Sequence, residues 1–62
     1  MWTVVYIALD EPEAKRIRDG LTQEGLLVKL RTCKPDNDGA SSIEILVPLG
    51  EADEALEIIN AL

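Results

Sequence analysis

Histidine and phenylalanine are absent from this 62-residue sequence, cysteine occurs once, and Trp2 and Tyr6 are the only aromatic residues. Without histidine the chain lacks the commonest general base and metal ligand. A lone Cys33 excludes a disulfide within the chain and, with no imidazole to help it, a closed zinc site. Two aromatics are too few for a base-stacking platform, which needs several on central strands with basic surroundings. No basic residue follows Lys34, whereas the segment from there to Leu62 carries seven acidic ones. The formal charge of −6 repels a polyanion, so nucleic acid is not an expected partner. The apolar start, Met1–Leu9, has no basic flank and is too short to cross a bilayer, so neither a signal peptide nor membrane insertion is expected and the cytoplasm is the expected location.

What is present reads as one globular domain over residues 1–62. The sequence is 47% hydrophobic and 29% charged, ordinary for a folded chain. A domain this short buries only about 60% of the surface its unfolded form exposes. Its thin core predicts help from self-association, with a dimer expected, or from a protein partner.

The firmest strand is Ser42–Pro48, where Ile43, Ile45 and Val47 alternate with Ser42, Glu44 and Leu46. Met1–Leu9 predicts another, rich in β-branched and aromatic residues and apolar on both faces. Asp10-Glu11-Pro12-Glu13 is a helix start: Asp10 caps, Pro12 suits the first turn, and Glu13 sits three residues beyond the cap. That helix is expected to run to about Glu24, burying Ala14, Ile17, Leu21 and Gly20 and ending at a left-handed Gly25. Leu26–Cys33 alternates as a further strand. The turn formers of Lys34–Ser41 then lead back to Ser42. After Pro48 and Gly50, the acids Glu51, Asp53 and Glu54 open a last helix with Ala52, Ala55, Leu56, Ile59 and Leu62 as its apolar stripe.

The order β-α-β-β-α, with a helical crossover and then a hairpin, predicts an α+β ferredoxin-like fold lacking a final strand. Its three-stranded antiparallel sheet has the order 1-3-2, with both helices on one face. Val5, Ile7, Val28, Leu30, Ile43, Ile45 and Val47 are expected to face the helices. Strict alternation then sends Trp2, Val4, Tyr6, Leu27 and Leu46 to the bare face beside Lys29, Arg31 and Glu44, and these eight form the expected interface. Alternatively, the long Lys29 and Arg31 stems shield that face. The outer edge of the first strand is a second route to pairing.

Residues that carry chemistry elsewhere have plainer explanations here. Lys29, Arg31 and Lys34 surround Cys33 with positive charge, but no histidine can activate it. Asp36-Asn37-Asp38-Gly39 has part of a calcium loop's spacing, yet Ile45 falls where the bidentate glutamate belongs, and a hairpin turn accounts for the residues. Lys15, Arg16 and Arg18 have helical spacing and suit an anion or an acidic partner, or else a solvated face. No catalytic residue, cofactor or metal site is expected.

The succession of a strand with Tyr6, a helix opening Pro12-Glu13-Ala14 and reaching Leu21, Glu24-Gly25-Leu26-Leu27-Val28, Ile45-Leu46-Val47-Pro48, and a helix with Glu54-Ala55 resembles a family of small bacterial domains of unknown function described as putative prokaryotic signal-transducing proteins. The resemblance implies a fold related to ACT and PII-like regulatory domains and no established activity or site. A non-enzymatic regulatory or protein-interaction module is therefore the expected function. The alternative is a small-ligand sensor with a pocket at a dimer interface.

Overall fold

A computed structural model describes residues 1–34 and 41–62; the 34–41 turn reading and the Asp36–Gly39 comparison with a calcium loop lie largely outside them. The elements run β1 (Trp2–Ala8), α1 (Glu11–Gln23), β2 (Lys29–Cys33), β3 (Ser42–Pro48), a single 3-10 turn at Leu49–Glu51, and α2 (Ala52–Ala61). The sheet has the order β1-β3-β2, and β3 pairs antiparallel with both neighbours. This is the expected ferredoxin-like α+β arrangement.

Both ends of α1 follow from local chemistry. The Asp10 carboxylate accepts the Glu13 amide at 2.9 Å, satisfying one of the orphan donors of the first turn. At the other end, Gly25 has φ +89°, a region that costs glycine nothing. Its amide donates to the Thr22 carbonyl at 2.9 Å and the Leu26 amide to that of Leu21 at 3.2 Å, the paired bonds of a Schellman turn. The turn delivers Leu26 into the core beside Leu21. Gly20 lets the chain end approach α1 closely, since a methyl group there would stand 3.1 Å from the Leu62 side chain.

The core joins Ala14, Ile17 and Leu21 of α1 and Ala55 of α2 to Ala8, Ile43, Ile45 and Val47 of the sheet, so both helices cover the same face. Ile17, Leu21, Ile45 and Val47 are its largest fully enclosed side chains.

Two expectations are corrected. The second strand begins at Lys29 rather than Leu26, because the residues after Gly25 serve the turn and the core first. Leu27 stands exposed before the ladder, its amide donating to the Glu51 carboxylate at 3.3 Å. In β1, pairing steps from Val4 opposite Leu46 to Tyr6 opposite Ile45, which leaves Val5 as the extra residue of a β-bulge. Beyond the bulge the alternation is reversed. Tyr6 joins Ile45 on the helix side and packs against the core, while Ile7 joins Glu44 on the bare side.

Candidate functional site

The uncovered sheet face is set by register. From β1 it receives Trp2, Val4 and Ile7, from β3 Glu44 and Leu46, and from β2 Lys29, Arg31 and Cys33. Of the eight residues expected there, six are brought together: Trp2, Val4, Lys29, Arg31, Glu44 and Leu46. Tyr6 and Leu27 are not, and Ile7, which strict alternation assigns to the core, takes a place on the face.

Its two halves differ. Toward one end Leu46 lies between Val4 and Lys29, its partners on either side, and is only 6% exposed although neither described helix covers this face. The Lys29 ammonium sits 5.7 Å from the centre of the Trp2 ring, close enough for a cation–π contact. Since these residues belong to strands on opposite sides of β3, their contact roofs the surface on which Leu46 stands. Toward the other end Arg31 faces Glu44 directly, with Nε 2.6 Å from the carboxylate. This hydrogen bond holds the Glu44 carboxyl below its ordinary range.

The β1 side stays bare. Trp2, Val4 and Ile7 are 43%, 37% and 54% exposed. They lie along a strand whose outer edge has no partner among the described residues. From Trp2 to Ala8 that strand has no charged residue and no proline, the usual guards of an edge. The opposite edge strand, β2, carries Lys29 and Arg31.

Tyr6 has a structural task on the other face. Its hydroxyl donates to Glu13 Oε2 at 3.1 Å while Glu13 Oε1 accepts the Leu9 amide at 3.1 Å, so one carboxylate ties β1 to the start of α1. The hydrogen bond to a carboxylate raises the phenol above its ordinary range.

A second feature lies where α1 leaves β2 partly uncovered. There a groove of about 520 Å³ opens between them, lined by Pro12, Ala14, Leu30 and Ile43 together with Glu11, Lys15, Arg18 and Thr32. Lys15 and Arg18 belong to the basic helical run seen in the sequence, but the groove depends on where the helix sits across the sheet, which no local pattern encodes. No group of three or more potential metal ligands occurs among the described residues, and no described helix is long and apolar enough to cross a membrane. No family model, curated protein or solved structure matches the chain.

Proposed function

We propose that this chain is a non-enzymatic regulatory or interaction module, of the kind its resemblance to putative signal-transducing domains implies, and that it acts as a homodimer joined along the β1 side of the sheet. The observation carrying this reading is the row of Trp2, Val4 and Ile7 exposed along an uncharged edge strand that has no partner among the described residues. Strands of 7, 7 and 5 residues at about 3.3 Å per residue and about 4.8 Å per strand give the bare face only about 300 Å² in projection, well short of the roughly 800 Å² per partner of a standard interface. Backbone pairing at the β1 edge supplies further area and satisfies its free amides and carbonyls. It also sets the three apolar side chains against their counterparts in the second copy.

Sedimentation tests this. The parent should be dimeric at micromolar concentration, Ile7→Glu and Val4→Glu should be monomeric yet folded, and Lys29→Glu, on the far strand, should remain dimeric. A parent that is monomeric well above micromolar concentration, or an Ile7→Glu variant that stays dimeric, overturns the proposal. The groove beside α1 favours a second reading, a small-ligand sensor whose ligand sits within one protomer.

A further inference from the structure

The α1 groove is lined by both apolar and charged side chains. Helix α1 packs over β1 and β3, so on β2 the helix-facing side chains Leu30 and Thr32 are left exposed, with the nearly enclosed Ile43 beside them. Pro12 and Ala14 line the groove from the helix, together with Lys15 and Arg18. A volume of about 520 Å³ falls within the roughly 300–1,000 Å³ typical of small-molecule sites.

We infer that this groove binds a small amphipathic monocarboxylate, its hydrocarbon part on Pro12, Leu30 and Ile43 and its carboxylate at Lys15 and Arg18. Charge selects the ligand class. With a net charge of −6 the protein repels anions in general, so an anion settles only where cations converge. Arg18 directs Nε and one terminal nitrogen at a single Asp19 oxygen, at 3.2 and 3.0 Å, and a guanidinium has further N–H donors to offer a ligand. Glu11, which also lines the groove, disfavours a second carboxylate on the ligand. This inference rests on the ligand-sensor reading and is independent of dimerisation.

Amide NMR with octanoate as the probe tests it, with acetate and octylamine as controls lacking the tail or the negative charge. Millimolar octanoate should move the resonances of Ala14, Lys15, Leu30, Thr32 and Ile43, while the controls should leave them nearly in place. Lys15→Glu, on the exposed helix surface, should weaken octanoate binding about fivefold, a size set by solvent-exposed charge pairs. Leu30→Glu should abolish it, with the amide spectrum reporting whether the fold survives. Unmoved resonances with octanoate, or undiminished affinity in Lys15→Glu, overturn the inference. Equal binding of octylamine overturns the carboxylate preference and leaves a small-ligand groove standing.

Discussion

Ile45 and Leu46 are neighbours on β3, both aliphatic and both nearly inaccessible to water, at 0% and 6% exposure, yet they are buried by different means. Ile45 points into the layer closed by two helices, among side chains fixed on several elements. Leu46 points the other way and is enclosed by Val4, the Trp2 ring and a lysine stem, all anchored at their base and wet at their tips. Packing of the first kind leaves a void when a side chain is cut back. A screen of the second kind can settle into the space, because the lysine stem changes rotamer at little cost.

The largest expected effect sharpens that contrast. Ile45→Ala should cost about 2–5 kcal/mol, comparable to the entire stability of about 3–5 kcal/mol expected for so short a chain, and should leave much of it unfolded. Leu46→Ala should cost about 1–2 kcal/mol because the screen collapses onto the gap. Urea midpoints for the pair check this, and equal losses would show that the two faces are equally rigid.

Next in size is Gly25→Val. A β-branched residue resists φ near +89°, and the substitution should cost about 1–2 kcal/mol. The loss should fall on the covered face, since this turn brings Leu26 to the core. Faster amide exchange at Leu21 and Leu26, with the Val4–Leu46 pairing unaffected, is the expected signature.

The smallest effect belongs to the bare face and depends on pH. Because Arg31 depresses the Glu44 carboxyl in the folded state, the pair stabilises the protein fully above the ordinary carboxyl value of 4.5, and this contribution is lost as pH falls through the lower folded value. The Arg31 side chain is 58% exposed and only Glu44 is partly covered, so the effect should be slight and screened by salt. Denaturation midpoints of the parent and Glu44→Gln, measured from neutral pH down through the carboxylate range, should converge at the acid end. A gap that persists there would assign the role of Glu44 to packing.

Whatever depends on near neighbours in sequence was legible: the Asp10 cap, the left-handed Gly25, and the Ala14, Ile17, Leu21 stripe all rest on contacts within a few residues. The order of strands followed from the hairpin and the crossover. The bulge was not legible, because Val4, Val5, Tyr6 and Ile7 are all apolar and give alternation no polar mark to reveal its phase. Only pairing with Leu46 and Ile45 decides which of them turns inward. The start of β2 was misread for a related reason: Leu26, Leu27 and Val28 look like strand, but the turn and the core claim them before the ladder begins. Of the two surface features, six residues of the bare face could be placed from alternation. The groove depends on how a helix lies across the sheet.

Val5 is, in effect, a spare beat in the rhythm of β1. Without it the strand would read Trp, Thr, Val, Tyr, Ile, Ala, alternating strictly outward and inward with every side chain already on the face it occupies now. Deleting Val5 should therefore preserve the facing of its neighbours, whereas deleting Thr3 or Ile7 should send one end of the strand out of phase. The bulge is the place where β1 can lose a residue while both of its faces keep their identity.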